Sequence, residues 1–141
     1  MNYCKLYVSG RCLAPFIKDG DVLEVSNWDG FDPTIIAHGD VLVYNVARLW
    51  LKFVVAIPGD YFEFIDGSVF VNNKEILTPQ NKSYQIQTKV LEGYSNTFII
   101  DGGCLTLSAR DTGSAGDSSR MGPINFSNVR GLWRPGVDKK L

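Results

Sequence analysis

The sequence Glu-Phe-Ile-Asp-Gly-Ser-Val-Phe, at residues 63–70, has the pattern of a tight β-hairpin. Two short runs rich in apolar and aromatic residues meet at Asp66-Gly67, a dipeptide that favours two-residue hairpin turns with positive φ. A second hairpin is predicted directly after it, because residues 69–76 place Asn72-Asn73 between two further strand-like runs. The centre of the chain is therefore predicted to be antiparallel β-structure.

Turn signals recur along the whole chain at intervals of about 8–12 residues, which is typical of an all-β sandwich or barrel. Examples are Asp19-Gly20-Asp21, Gly39-Asp40 and Pro58-Gly59-Asp60. The runs between the turns are rich in Val, Ile, Phe and Tyr, as strands prefer. The predicted strands are residues 5–9, 22–26, 41–46, 49–57, 61–65, 68–71, 98–100, 104–108 and 129–133. No stretch has the pattern of an amphipathic helix of two or more turns.

We therefore expect an all-β fold, a coiled, barrel-like assembly of short antiparallel strands, in a single domain over residues 1–141. Residues 78–95 are polar and weakly patterned, and we expect them to leave the sheet as an excursion. Residues 111–119 are rich in Gly, Ser, Thr and Asp, which is poor material for a core. This loop therefore needs a surface or a functional explanation.

The composition excludes several classes of protein. Fourteen Lys and Arg against fifteen Asp and Glu give a net charge of −1 over 141 residues, whereas a nucleic-acid binder needs a basic surplus or a basic stripe. Hydrophobic residues make up 45% of the chain, too many for a disordered protein. The richest apolar run, residues 49–57, is far shorter than the ~20 residues of a membrane-spanning helix. We therefore expect either a protein that is soluble as written or one whose membrane anchor lies outside this sequence.

Three cysteines, Cys4, Cys12 and Cys104, accompany a single histidine, His38. Their spacing is not that of metal ligands, and no metal or organic cofactor is expected. One disulfide with one free thiol and three free thiols both fit the sequence. His38 precedes Gly39-Asp40 in a predicted turn, where we expect it to be solvated.

Lys52 lies inside the run Leu49–Ile57, which has the pattern of a strand buried on both faces. Burial disfavours the charged form of an amine, and a neutral amine near pH 7 can act as a general base. Alternatively, Lys52 lies near a strand end and its amine reaches water while its stem packs. The second interpretation describes most lysines.

Cys12 lies at a sharp bend between Gly10 and Pro15, where a side chain can project into a groove. A thiol is a nucleophile only as the thiolate, so it needs a base or a cation beside it. Alternatively, Cys12 is a structural residue that packs as a small hydrophobe.

Several segments taken in order resemble the type I signal peptidase family of serine/lysine-dyad endopeptidases. The most specific of them are Lys52 with its trailing Ile57-Pro58-Gly59-Asp60, and the segment from Asp117-Ser118 to Gly122-Pro123. The resemblance runs from about residue 8 to residue 131. Its matching segments are residues 10–15, 19–23, 39–44, 51–60, 66–76, 108–123 and 129–131.

The resemblance implies a catalytic dyad. Lys52 takes the position of the general-base lysine, and Phe53 stands where an arginine usually follows it. Cys12 and Leu13 take the positions of the family's nucleophilic serine and of the methionine after it. A cysteine thus replaces the serine.

The resemblance also implies supporting residues around the dyad. The late segment is expected to order the lysine and hold it in place, through Asp111, Asp117, Ser118 and Arg120. The residues that border the nucleophile are expected to form the oxyanion hole and the substrate groove, namely Gly10, Arg11, Leu13 and Pro15. Because Gly10 has no hydroxyl, backbone N–H groups, chiefly that of Cys12, would stabilise the oxyanion.

The exchange of serine for cysteine leaves three outcomes open. A thiol has an ordinary pKa near 8.5, close to that of a desolvated lysine, so the pair could rest as thiolate and ammonium. However, sulfur is larger than oxygen, and a site shaped for oxygen could misplace it. The chain is therefore a working Cys–Lys peptidase, an impaired relative that binds precursor peptides or assists surface-structure assembly, or an engineered nucleophile variant.

The function expected first is endopeptidase processing of exported precursor proteins by acyl transfer. The substrate or signal peptide would bind as an added extended strand. The resemblance implies action at the extracytoplasmic face of the cytoplasmic membrane, with the membrane surface as a further partner and no nucleic acid. A self-cleaving domain of the LexA type is a weaker alternative, because the chain has no helical DNA-binding region and no evident cleavage-site linker.

Overall fold

The structure is a computed structural model that describes residues 2–11 and 13–134. These residues contain eleven strands and one short α-helix, α1 (Ser118–Met121), with 3-10 turns at Pro33–Ile35, Val90–Tyr94 and Phe126–Asn128. The strands are β1 (Tyr3–Tyr7), β2 (Val22–Ser26), β3 (Val41–Val46), β4 (Arg48–Ala56), β5 (Tyr61–Ile65), β6 (Ser68–Val71), β7 (Lys74–Glu75), β8 (Thr97–Phe98), β9 (Gly103–Leu107), β10 (Ile124–Asn125) and β11 (Val129–Trp133). No helix in the described residues is both long enough and apolar enough to cross a bilayer.

The strands form two antiparallel sheets, which confirms the predicted fold class. The larger sheet has seven strands in the order β1-β2-β11-β3-β4-β9-β10, and the smaller has four in the order β7-β6-β5-β8. Within the described residues both sheets keep open edges, at β1 and β10 in one and at β7 and β8 in the other. The barrel-like part of the prediction thus corresponds to two open sheets.

Both predicted hairpins are present. Asp66 and Gly67 have φ angles of 49° and 87°, and Ile65 pairs with Ser68 across them. Asn72 and Asn73, with φ angles of 53° and 68°, join β6 to β7 in the same way. Positive φ at both central residues is the requirement of a type I′ turn, whose twist matches that of the flanking strands.

The larger sheet is covered on both faces at its centre. Along β3, Val41 and Val43 pack into one apolar cluster with Phe53, whereas Leu42 and Tyr44 pack into a second cluster on the opposite face. A third cluster joins the smaller sheet to the ends of β4 and β9. The middle of β4 is therefore enclosed, and any polar side chain on it must find its partners inside the protein.

Residues 78–95 carry more of the core than their polarity suggests. Their pairing is limited to a single bridge at their start, between Leu77 and Ser83, yet Tyr84, Ile86 and Leu91 are buried in the third cluster. The Tyr84 hydroxyl donates to the Ser108 carbonyl at 2.7 Å. Burial, and secondarily the charge of Asp117, raises the pKa of Tyr84 above its ordinary value.

Asp60 links the two sheets. Its carboxylate accepts hydrogen bonds from the Ile57 N–H at 2.8 Å and the Asn72 amide at 2.9 Å, and its Oδ2 lies 2.6 Å from His38 Nε2. His38 is about half exposed, with 51% of its side-chain surface accessible, but it is paired rather than merely solvated. Burial alone would raise the pKa of Asp60, but these partners outweigh burial and hold it below the ordinary carboxyl value.

We expect part of the acid sensitivity of this fold to come from Asp60. A carboxylate whose pKa is lowered in the folded state stabilises the fold above its unfolded pKa of about 3.9 and loses that contribution as the pH falls through the folded pKa. Asp60→Asn should therefore lose less stability than the wild type as the pH falls below about 5, measured by urea unfolding. The exposed Asp101→Asn serves as the control. A wild-type pH dependence in Asp60→Asn would contradict this account.

Candidate active site

Lys52 is buried in the middle of β4, opposite Leu42 on β3, with only 1% of its surface exposed. Its Nζ lies 3.0 Å from Ser114 Oγ and 5.5 Å from the centre of the Trp50 ring. The amine is thus enclosed by a hydroxyl and an aromatic face. It does not reach out to water as a lysine at a strand end would.

Asp117 holds Ser114 against Lys52. Its fully buried carboxylate accepts hydrogen bonds from the Ser114 N–H at 2.9 Å, the Ser108 N–H at 3.1 Å and the Ser119 N–H at 2.9 Å. The Ser119 hydroxyl donates to the same carboxylate. Asp117 therefore acts on Lys52 indirectly, by fixing the loop that presents the Ser114 hydroxyl.

A second set of contacts holds the same loop from the side of the sheet. The buried Tyr44 hydroxyl donates to the Gly116 carbonyl, and the Trp50 indole N–H donates to the Val46 carbonyl at 3.0 Å. Gly116 has a φ of +83°, and a Cβ added there would overlap the Trp50 ring. The loop can approach Lys52 this closely because residue 116 has no side chain.

A groove of about 540 Å³ leads to Lys52 between two strand edges. One wall is β1, which is the edge of the larger sheet, and the other is the first half of β4, where residues 48–52 pair with β3 alone. The groove is largely apolar, lined by Leu6, Val8, Leu13, Ile17, Leu49 and Leu51 together with Tyr7, Ser9, Gly10, Arg48, Trp50, Lys52 and Ala115. Unpaired backbone on both walls suits an extended peptide.

The predicted nucleophile, Cys12, lies outside the described residues. Of the residues around it, Gly10 and Leu13 line the groove that contains Lys52, whereas Arg11 and Pro15 are exposed and do not. The Gly10 N–H donates to Asp19 Oδ1 at 2.8 Å. Because this N–H is already engaged, it is not free to donate to an oxyanion.

Three of the predicted supporting residues make their contacts elsewhere. Ser118 Oγ accepts from the Thr106 N–H at 2.8 Å and so fastens α1 to β9. Arg120 is exposed. Asp111 accepts from the Gln85 N–H through its backbone carbonyl at 2.7 Å. Of the four supporting residues, the structure therefore connects only Asp117 to Lys52, through Ser114.

Ser114, Trp50 and Gly116 are site residues that the sequence reasoning did not single out. The signal for Ser114 and Gly116 was the composition of residues 111–119, which is poor core material and yet is mostly buried. The spacing of the serines in residues 111–119 gives no indication of which one faces Lys52. Trp50 was hidden in the apolar run of β4, where it resembled an ordinary core residue.

The two described cysteines are free thiols. Cys104 is fully buried, and burial raises the pKa of its thiol to about 12. Cys4 is partly exposed on β1. Cys104 is therefore a packing residue without nucleophilic character.

The fold and the site together define an all-β protein with a peptide-sized groove that ends at a buried lysine. Comparison with known families agrees with this class: the family described as "Signal peptidase, peptidase S26" matches residues 3–135. The chain belongs to this family. The resemblance seen in the motifs around Lys52 and Asp117 is thereby confirmed.

Individual relatives are distant. The signal peptidase I of Bacillus caldolyticus is 23% identical over 136 residues, which cover 88% of this chain and 73% of that protein. The signal peptidase IB of Staphylococcus aureus is 26% identical over 95 residues, 66% of this chain and 49% of that protein, so the match spans about half the length of the relative. A crystal structure of a signal peptidase I from Enterococcus faecalis shares the fold, with a TM-score of 0.53 and 17% identity over 70% of this chain and 96% of that one.

Proposed function

We propose that this chain is an endopeptidase that processes exported precursor proteins by acyl transfer, with Cys12 as the nucleophile and Lys52 as the general base. The observation that carries the proposal is the placement of Lys52. Its buried amine, 3.0 Å from Ser114 Oγ, lies in the same groove as Gly10 and Leu13. These residues flank Cys12 in the sequence.

The chemistry would proceed in two acyl transfers. Lys52 Nζ takes the proton of the Cys12 thiol, and the sulfur attacks the carbonyl carbon of the scissile peptide bond. The tetrahedral intermediate collapses to a thioester as the C–N bond breaks, and the Lys52 ammonium returns the proton to the leaving amine. Water then attacks the thioester, with Lys52 again accepting a proton, and the carboxylate product and the thiol are released.

Ser114 is proposed to orient the base. Its hydroxyl can accept a hydrogen bond from the ammonium and donate one to the neutral amine, so it remains bonded to Lys52 in both protonation states. The oxyanion is proposed to bind to backbone N–H groups, chiefly that of Cys12. Gly10 is not proposed as a donor, because its N–H is bonded to Asp19.

The substrate is proposed to bind as an extended strand between β1 and the first half of β4. Both walls offer unpaired backbone, and the apolar lining suits small or apolar side chains. From family membership we further propose action at the extracytoplasmic face of the cytoplasmic membrane, where signal peptides of exported precursors are presented.

A second function, peptide binding without cleavage, is favoured by one observation: a cysteine stands where the family resemblance places a serine. Sulfur needs more room than oxygen, so a groove can keep its peptide while turnover is lost. In that case peptides would bind with the same affinity to the wild type and to Cys12→Ala, and neither protein would cleave them.

Thiol labelling together with peptide cleavage tests the proposed function. In the folded protein, iodoacetamide should modify Cys12 faster than Cys4 near pH 7, and Cys104 should remain unlabelled until the protein is unfolded. Cleavage of a precursor peptide should be abolished in Cys12→Ala and retained in Cys4→Ala. Equal labelling of Cys12 and Cys4, with no cleavage by the wild type, would overturn the proposal.

Ser114→Ala should lower kcat/KM for precursor cleavage by about 10- to 100-fold, because the buried amine loses its hydroxyl partner and one hydrogen bond to a charged group is worth about 1.5–3 kcal/mol. Ser114→Thr, which restores a hydroxyl, should recover part of the rate. Ser95→Ala, a part-buried hydroxyl bonded to Phe64 in the smaller sheet, is the control. A wild-type cleavage rate in Ser114→Ala, or no recovery of the lost rate in Ser114→Thr, would contradict the role given to Ser114.

A further inference from the structure

Arg48 differs from the other residues of the groove because its side chain is permanently charged and is not paired with any carboxylate of the described residues. Its side chain is exposed at the start of β4, and its guanidinium carbon lies 4.7 Å from the centre of the Trp50 ring. None of the ion pairs of the described residues involves Arg48. A guanidinium stacked on an aromatic face keeps its N–H edges free for a carboxylate.

The platform beneath Arg48 is rigid. The Trp50 ring is held by its hydrogen bond to the Val46 carbonyl and by the close approach of Gly116. The guanidinium therefore stacks on a ring whose position is already set by other contacts, which reduces the entropy lost on binding.

The same ring connects Arg48 to the proposed catalytic end of the groove. Arg48, Trp50 and Lys52 alternate along β4 and so lie on one face of the strand, and Lys52 Nζ is 5.5 Å from the ring centre. Among residues 2–11 and 13–134, no acidic side chain lines the groove. The permanent charge of Arg48 is therefore not opposed by a carboxylate among the described lining residues, and this end of the groove is electrostatically complementary to an acidic peptide.

We infer that Arg48 is a specificity residue, which selects precursors with an Asp or Glu about four positions before the cleaved bond. The inference rests on the proposed function, and it takes the segment before the cut to be the part of the substrate that lies extended along β4. Arg48 is four residues from Lys52, about 13 Å at the rise of a strand. A substrate strand alongside it rises by the same amount per residue, so the side chain that faces Arg48 is about four residues from the reacting carbonyl.

A positional peptide series tests this inference. Peptides that differ only by Asp, Asn or Lys at each of the six positions before the cut are compared by kcat/KM. The wild-type protein should prefer Asp to Asn by about tenfold at the fourth position before the cut, or at a position directly next to it. A preference of this size is the effect of one hydrogen bond to a charged group. Arg48→Gln should abolish the preference, Arg48→Lys should keep most of it, and Lys74→Gln, on the exposed β7, should leave it unchanged.

Binding measurements separate this inference from the proposed function. Calorimetric titration of Cys12→Ala with the Asp and Asn peptides reports the preference even if no peptide is cleaved. A preference in binding to Cys12→Ala, together with no cleavage of any peptide by the wild type, would reject the peptidase proposal and support the role of Arg48. No preference at any position, or one that survives Arg48→Gln, would overturn the role of Arg48. So would a result in which Arg48→Gln weakens binding to phosphatidylglycerol vesicles but not discrimination between the peptides.

Discussion

Replacement of Lys52 by methionine should lower kcat/KM for precursor cleavage by about 10²–10⁴-fold, the usual contribution of a general base. Methionine has nearly the volume of lysine without the amine, so the groove and the packing around β4 are preserved. The Ser114 hydroxyl is left without its 3.0 Å partner. The free energy of unfolding should fall by about 1–3 kcal/mol, the cost of leaving one buried hydroxyl unpaired.

The same substitution at an exposed site provides the control. Lys74→Met removes an amine of the same kind from β7, where it is exposed, and should leave the cleavage rate within about twofold. Labelling of Cys12 by iodoacetamide should slow in Lys52→Met and not in Lys74→Met. If the folded Lys52→Met protein cleaved peptides at a rate near that of the wild type, Lys52 could not be the base.

Gly116→Ala should be the most destabilising small substitution in the site. The φ of +83° costs an alanine about 1–2 kcal/mol, and the added Cβ overlaps the Trp50 ring, which adds an overpacking cost of about 1–3 kcal/mol. The loop that carries Ser114 and Asp117 must then withdraw from β4. Both the urea midpoint and the cleavage rate should fall.

Gly20 supplies a matched comparison for this effect. Its φ of +88° is nearly the same, but a Cβ added at Gly20 meets no other atom within 4 Å. Gly20→Ala should therefore show the backbone strain alone, with activity retained. Equal losses of stability and activity in Gly20→Ala and Gly116→Ala would show that contact with Trp50 is unimportant.

Most of the fold could be predicted because its turns are local. Asp66-Gly67 and Asn72-Asn73 fix their hairpins by backbone conformations that those residues adopt readily, so no distant contact is needed to place β5, β6 and β7. The two-residue strand β10 was missed, because residues 124–125 are defined by pairing with Cys104 and Gly103 rather than by any pattern of their own. The order of the strands in the larger sheet was equally beyond local reasoning.

The site was predictable only where a residue is unusual for its surroundings. A lysine in the apolar run of β4 is such a residue, and the structure does bury it. Ser114 is one serine among several, and only the long-range approach of its loop to β4 distinguishes it. Asp117 was expected to hold Lys52, but its hydrogen bonds are local and reach the lysine only through Ser114.

One carboxylate oxygen of Asp117 accepts hydrogen bonds from both the Ser108 and the Ser114 N–H groups. Residues 108 and 114 are therefore both bonded to the same atom. The residues between these two contacts form a loop that is closed at its base by Asp117, and Arg110 and Thr112 are exposed on it. Lineages could therefore lengthen or shorten the chain there without displacing the hydroxyl at the lysine. Insertions and deletions should be tolerated in the loop between residues 108 and 114 and should not occur between residues 114 and 117.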